Sequence, residues 1–246
     1  MTKYNRTQLN PDQSFERHIY HRDQFAHYLR WSHILDVVKP SKNMSILDFG
    51  CGIDGNLAEV LYRNRHKASK YLGLDIRKLE KATQKFKSVD WVSFKEYDLV
   101  GNNFNEGNDW DIITSFEVLE HIGKENADKF LNNVIKHMNS KTVFYLSTPN
   151  FDESVGAADN HIIDGVVGEF EFQELKALLE KSFFIKKIYG TFASQKDYKD
   201  HLIGWKKEMF EQLNDYYDSN LISVIMAPLM PPECARNCLW VLTKGE

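Results

Sequence analysis

The run Ser45-Ile46-Leu47-Asp48-Phe49, followed at once by Gly50-Cys51-Gly52-Ile53-Asp54-Gly55, decides the fold of this chain. A short apolar stretch that breaks into a glycine-rich turn reads as a buried strand entering a tight loop, and a helix is expected from about Asn56. Glycines at the first, third and sixth loop positions permit positive φ and carry no side chain. Backbone N–H groups and the helix N-terminus can then come close to a ligand. By itself G-x-G-x-x-G suits any nucleotide-type ligand, including the dinucleotide of a nicotinamide-dependent oxidoreductase.

Outward from this loop the chain alternates strand-like and helical stretches. Strands are predicted at Tyr71–Ile76, Trp91–Leu99, Trp110–Phe116 and Thr142–Ser147, with helices between most of them, which predicts a parallel sheet covered on both faces. Upstream, Phe15, Ile19, Phe25, Tyr28, Leu29, Trp31, Ile34 and Leu35 recur at helical spacing, and Pro40 ends the run. Beyond Pro149, residues 150–168 are rich in Asp, Asn and Gly and form a loop too long for a plain connection. A helix at Glu171–Lys181 and a strand at Phe183–Tyr189 follow, then an aromatic, partly helical insertion at Asp197–Met230, and a last strand at Cys238–Thr243. The expected organisation is one domain over 1–246: a helical cap (1–40), a core (41–192), an insertion (193–236) serving as an acceptor lid, and the last strand (237–246).

With 246 residues, 42% of them hydrophobic, the chain can bury a full core. A net charge of −4 gives no global attraction to a phosphate backbone, so a small-molecule partner is favoured over nucleic acid. The basic stretches Arg63–Lys70 and Lys181–Lys187 read as solvated faces. No long uncharged apolar run appears, which points to a cytoplasmic protein without a membrane partner. Cys51, Cys234 and Cys238 are too few and too unevenly spaced for a disulfide framework or a zinc site, and are expected as free thiols.

Two acids sit where strands end. Asp75, followed by Ile76, lies 23 residues beyond Gly52, where a carboxylate can take both hydroxyls of a ribose. Asp98, followed by Leu99, closes the third strand and can accept a hydrogen bond from an adenine amino group. Leu47-Asp48-Phe49-Gly50-Cys51-Gly52 resembles the first signature of class I S-adenosylmethionine-dependent methyltransferases, D-x-G-C/x-G. The segment from Asp111 to His121, ending in Glu117-Val118-Leu119-Glu120-His121, is similar to that family's fourth-strand signature. The resemblance implies a Rossmann-like α/β three-layer sandwich with a mostly parallel seven-stranded sheet, whose last strand runs antiparallel between the fifth and sixth. It also implies S-adenosylmethionine as cofactor, held by Asp48, Gly50, Cys51, Gly52, Gly55, Asp75, Ile76, Asp98, Leu99, Glu117 and Val118. An oxidoreductase requires neither Asp48 before the glycines nor the cluster after the fourth strand.

Because the sulfonium already activates the methyl group, the protein mainly has to align an acceptor with it. Glu117, Glu120 and His121 are spaced i, i+3 and i+4, and in a helical turn would share one face at the cleft mouth. Glu120 and His121 are therefore the candidate catalytic pair, His121 serving as general base to an oxygen or nitrogen acceptor. A competing reading has Glu117, Glu120, His121 and His161 hold a divalent metal ion. Small-RNA 2'-O-methyltransferases and ubiquinone-pathway O-methyltransferases carry similar E-x-x-E-H runs, and Asn160-His161 with Gly168-Glu169-Phe170-Glu171-Phe172 is loosely like further segments of the RNA enzymes. The acidic balance weighs against RNA. A non-catalytic partner subunit is the alternative from another class. His18, His21, His27 and His33 form no clean ligand pair. Tyr28, Arg30 and Trp31 read either as a cofactor lid or as core, and Tyr198, His201, Trp205, Phe210, Tyr216 and Tyr217 either as acceptor contacts or as helix packing.

Overall fold

Strand β1 (Ser45–Phe49) is buried from Ile46 onward because it lies in the middle of a sheet covered on both faces. The computed structural model describes residues 22–38, 43–101, 105–152, 162–163, 166–193, 198–217 and 219–245. In chain order the elements are α1 (Arg22–Val37), β1, α2 (Asn56–Arg63), β2 (Lys70–Asp75), α3 (Glu80–Lys85), β3 (Val92–Glu96), β4 (Ile112–Phe116), α4 (Leu119–Ile122), α5 (Ala127–Lys136) and β5 (Val143–Pro149). A two-residue ribbon, β6 (Ile162–Ile163) with β7 (Val166–Val167), is followed by α6 (Phe172–Glu180), β8 (Phe183–Ala193), α7 (Trp205–Asn214), α8 (Ser219–Met226) and β9 (Ala235–Lys244).

The main sheet has the order β3-β2-β1-β4-β5-β9-β8. The strands from β3 to β5 pair in parallel, and β9 runs antiparallel to both β5 and β8, as the family resemblance implies. Alternation along the strands sends neighbours to opposite faces. Leu47, Phe49, Leu72 and Leu74 join a core that α5 closes with Phe130, Leu131 and Val134, whereas Ile46, Tyr71 and Ile112 join one closed by Ile34 of α1 and Leu57 and Leu61 of α2. A third, smaller core of Ile222, Met226, Ala227, Met230 and Cys234 forms where α8 packs on β8 and α1.

Local signals explain most boundaries. Helix α6 begins in a capping box between Glu171 and Glu174, one residue later than the sequence pattern predicts. Strand β3 stops at Glu96, so Asp98 stands beyond the strand, in a turn where its Oδ1 accepts from Val100 N and its carbonyl from Gly101 N. Strand β8 outruns its prediction by four residues because β9 begins at Ala235, three residues before Cys238, and pairs with it across several register shifts. The three cysteines are free and buried, and no described helix is long and apolar enough to cross a membrane.

Candidate active site

A cleft of about 590 Å³ opens at the carboxyl ends of β1, β2 and β4, where open α/β sheets bind ligands. Gly50, Asp75, Ile76 and Arg77 form one side, Asp98, Leu99 and Val100 the second, and Glu117, Val118, His121 and Ile122 the third. The sheet brings these segments together by placing β4 and β2 on either side of β1.

The glycine loop is shaped by contact as much as by backbone freedom. Gly50 has φ of 82°, and a Cβ there would stand 2.2 Å from Val118 Cγ2, so the loop lies directly on the turn after β4. Gly55 caps α2 in the left-handed region, where a Cβ would meet the ring of Phe94 at 2.6 Å.

Asp75 is buried and fully engaged. Its Oδ1 accepts from Arg77 N (3.0 Å) and Arg77 Nε (2.9 Å), and its Oδ2 from Arg77 Nη2 (2.9 Å) and Gly52 N (3.0 Å). Burial pushes this carboxyl up, but the Arg77 guanidinium and the two backbone donors outweigh it and hold Asp75 below the usual carboxylate range. Asp48 lies beneath the loop and outside the cleft lining. It accepts from Tyr71 Oη (2.5 Å) and Thr114 Oγ1 (2.7 Å), and burial raises its pKa to about 6 despite those two donors. Cys51 is likewise buried, its thiol pushed up by desolvation.

Glu117 stands just after β4 with φ of 57°, a left-handed conformation that a side chain rarely adopts. Its backbone N donates to Ser147 O. Its Oε1 accepts from Arg30 Nη1 (2.6 Å) and Ser147 Oγ (2.9 Å), and its Oε2 from Asn237 Nδ2 (2.8 Å). Burial raises this carboxyl, yet the Arg30 and His27 charges together with the Asn237 and Ser147 donors outweigh it and hold Glu117 below the usual carboxylate range, ionised. Arg30 itself is 1% exposed and also touches His27 and Asn237. It thereby ties α1 and β9 to the cleft.

The methyltransferase-domain family matches residues 20–184, two-thirds of the chain. The chain belongs to that family. This methyltransferase has the fold of the methyltransferase domain of bacterial CtHen1-C, with 17% identity, 90% of this chain and 100% of that chain covered, and a TM-score of 0.59. It is similar also to a TehB-like SAM-dependent methyltransferase from Corynebacterium glutamicum (15% identity, 96% and 100% covered, TM-score 0.56). A third similar structure is N-methyltransferase NodS from Bradyrhizobium japonicum in complex with S-adenosyl-L-homocysteine (14% identity, 98% and 94% covered, TM-score 0.56). No curated protein matches the chain. The methyltransferase is thus a class I enzyme with S-adenosylmethionine as methyl donor.

Of the residues expected from the sequence, Gly50, Asp75, Ile76, Asp98, Leu99, Glu117, Val118 and His121 line the cleft. Gly52 and Gly55 shape its loop, and Asp48, Cys51 and Glu120 lie buried behind it. The expected shared face of Glu117, Glu120 and His121 does not form. Helix α4 starts only at Leu119, Glu117 sits outside it in the left-handed region, and Glu120 turns inward to accept from Thr148 Oγ1 (3.0 Å) while His121 stays exposed. Burial, reinforced by the Glu117 charge, pushes the Glu120 carboxyl well above its usual range and so favours its protonated form. His161 lies outside the described residues. Among the described residues no three His, Cys, Asp or Glu side chains stand close enough to hold a metal ion. As arranged, Glu117 with its three side-chain donors and Glu120 with its proton do not fit a divalent cation, which needs ionised oxygens turned toward it.

Sequence reasoning did not find Arg77, Ser147 or Asn237. Arg77 had a local signal, a basic residue two positions past the ribose-type acid. Asn237 had none, because only the antiparallel insertion of β9 beside β5 brings it to the cleft. Of the lid candidates, Arg30 reaches Glu117, Trp31 stacks on His27, and Tyr28 is 69% exposed. Trp205, Tyr216 and Tyr217 of the insertion are exposed, so α7 packing does not account for them.

Proposed function

We propose that this methyltransferase moves the methyl group of S-adenosylmethionine to an oxygen or nitrogen of a small or medium-sized acceptor that enters the cleft beside His121 and Ile122. The observation that carries the reading is the gathering of Gly50, Asp75, Asp98, Glu117 and His121 around one cleft at the carboxyl ends of the parallel strands. In this reading the ribose hydroxyls take Asp75, and the adenine lies between Ile76 and Leu99 with Asp98 at its amino group. The methionine moiety lies along Gly50 and Val118, where the ionised Glu117 favours the positive sulfonium and ammonium. Asp48 supports the loop from beneath through Tyr71 and Thr114. His121 is the exposed base at the cleft mouth, able to take the acceptor proton as the methyl transfers. Glu120, neutral and turned inward, fixes the turn that presents His121.

The test uses methyl-labelled S-adenosylmethionine with purified enzyme and a whole cell extract that retains its small molecules, followed by separation into small-molecule, RNA and protein fractions. Label is expected in the small-molecule fraction, and H121Q should lower its rate at least about tenfold while calorimetric binding of S-adenosylhomocysteine stays unchanged. Label confined to RNA or protein would overturn the acceptor class. A full rate in H121Q would overturn the base.

A further inference from the structure

At the opposite end of the parallel strands, the basic stretch that follows α2 folds into a cleft of about 490 Å³ with a composition unlike the first. Its lining is Tyr62, Arg63, Arg65, His66, Lys67 and Trp91, three cations, one histidine and two aromatic rings, with no carboxylate among them. We infer that this cleft binds a nucleotide unit, with the phosphate on Arg65 and Lys67 and the base against Tyr62 and Trp91.

Three features carry this assignment. Arg65 follows Asn64, the C-cap of α2, with φ of 57°, in a turn closed by His66 N to Leu61 O (2.9 Å) and Arg65 N to Tyr62 O (3.0 Å). This is the left-handed position that helix ends normally give to glycine, and a side chain there costs about 1 kcal/mol. Cations near a helix C-terminus do complement the macrodipole, but Arg63 already serves that purpose within the last turn, and neither needs a strained backbone. Second, one of the cleft's three cations is left without a counter-charge. Arg63 pairs with Glu59 at 2.5 Å and Lys67 approaches the exposed Asp90 at 3.6 Å, while the Arg65 guanidinium has no carboxylate partner among the described residues. Third, the aromatic part is held in place. Tyr62 is 55% exposed and stands edge-on to buried Phe86 (6.2 Å between centroids, 87° between planes), and Trp91 leans on the core. His66 is fixed as well, its Nδ1 2.5 Å from Val38 O, which leaves Nε2 for a ligand. Guanidinium and ammonium groups recognise phosphate oxygens, and a fixed ring with an open face accepts a base regardless of its identity.

The same chemistry is presented by a free mononucleotide and by one residue of a single-stranded nucleic acid. The proposal stands whatever acceptor the cofactor cleft takes. The test titrates the full-length enzyme at low salt with a fluorescein-labelled oligouridylate of about ten residues by anisotropy, and with AMP and UMP by calorimetry, for wild type, R65G and Y62A. R65G removes the cation while relieving the left-handed strain, so it should melt no lower than wild type and still bind S-adenosylhomocysteine. The expected result is a salt-sensitive association, at least about tenfold weaker in R65G and severalfold weaker in Y62A. Mononucleotides binding as tightly as the oligomer would identify a free nucleotide as the ligand, and an oligomer that they fail to displace would identify a single strand. No binding of either probe at low salt, or equal binding by wild type and both variants, would overturn the site.

Discussion

The Arg77 guanidinium closes on the Asp75 carboxylate as a two-pronged fork, Nε to Oδ1 and Nη2 to Oδ2 at 2.9 Å each, and with Arg77 N and Gly52 N it fills all the acceptor positions of that carboxylate. A carboxylate offers about four lone-pair sites. Two ribose hydroxyls can take Asp75 only by displacing the fork. In the proposed reading, cofactor binding at Asp75 is an exchange, in which an Arg77 side chain already 59% exposed returns to water.

Because the Arg77 end of the pair is open to water and screened there, the pair is worth about 1 kcal/mol, and R77M should tighten S-adenosylmethionine binding by about fivefold. D75A should weaken it by about ten- to a hundredfold, the loss of hydrogen bonds to a charged acceptor. Calorimetry on the two variants separates the roles. Weaker binding in R77M would mean that Arg77 contacts the bound cofactor and does not compete with it.

Arg30 and Glu117 form the second charged contact that shapes the cleft; Arg30 is 1% exposed, whereas Glu117 keeps 26% of its side chain open to the cleft. Removing Arg30 leaves the half-screened Glu117 charge without its counter-charge, which costs toward the lower end of the about 3–5 kcal/mol of a fully buried pair, whereas replacing both is far milder. R30M is accordingly expected to lower stability by about that amount, and R30M/E117Q to recover most of it. Urea unfolding of the four proteins of this double-mutant cycle gives the coupling directly. Additive losses would show that Ser147 and Asn237, not Arg30, hold the Glu117 charge.

Most of the residues that line the cleft were legible in the sequence because they sit on local signals. The strand–glycine–helix unit at Ser45–Asn56, the acid at the end of β2 and the run from Asp111 to His121 each sit on one short segment with its own periodicity, and β9 found its antiparallel place through the family resemblance. What escaped depends on long-range pairing or on backbone conformation. Asn237 meets Glu117 only across the β5–β9 register, 120 residues away in sequence. The spacing of Glu117, Glu120 and His121 implied a common helical face, but the left-handed φ of Glu117 places it ahead of the helix. Periodicity has no access to a single reversed dihedral. Trp91 reaches the basic stretch after α2 only through the pairing of β2 with β3, which the local pattern of that stretch does not show.

Asp48 gives a pH signature. Burial, opposed by Tyr71 and Thr114 and aided by the Asp75 charge, raises its pKa from 3.8 to about 6 in the folded protein. Between those values the folded chain keeps a proton that the unfolded chain has lost, so this group's contribution to stability falls as pH rises through the window and is constant above it. The penalty at the upper plateau is roughly 3 kcal/mol. D48N has no such titration. Its urea midpoint should gain on wild type from about pH 4 to about pH 6 and hold a steady lead beyond. A lead that does not change with pH would show that Asp48 ionises freely in the folded protein.

Glu120 separates a scaffold from a ligand. Burial and the neighbouring Glu117 charge push its carboxyl well above the usual range and favour the protonated form, with Thr148 donating to Oε2. Glutamine reproduces that neutral shape, so E120Q should fold like wild type and retain methyl transfer within about twofold, whereas E120A strands a buried hydroxyl and opens a void at a cost of about 2–4 kcal/mol. Since the folded-state pKa is raised, wild type loses stability as pH climbs through it and E120Q does not. The urea midpoint of the variant should therefore gain on wild type as the pH rises above the ordinary carboxylate range. Rates measured with EDTA and with added Mg2+ complete the test. Activity that vanishes in E120Q and, in wild type, depends on the added ion would mean that Glu120 turns outward as an ionised metal ligand during turnover, and its neutral inward role would be wrong.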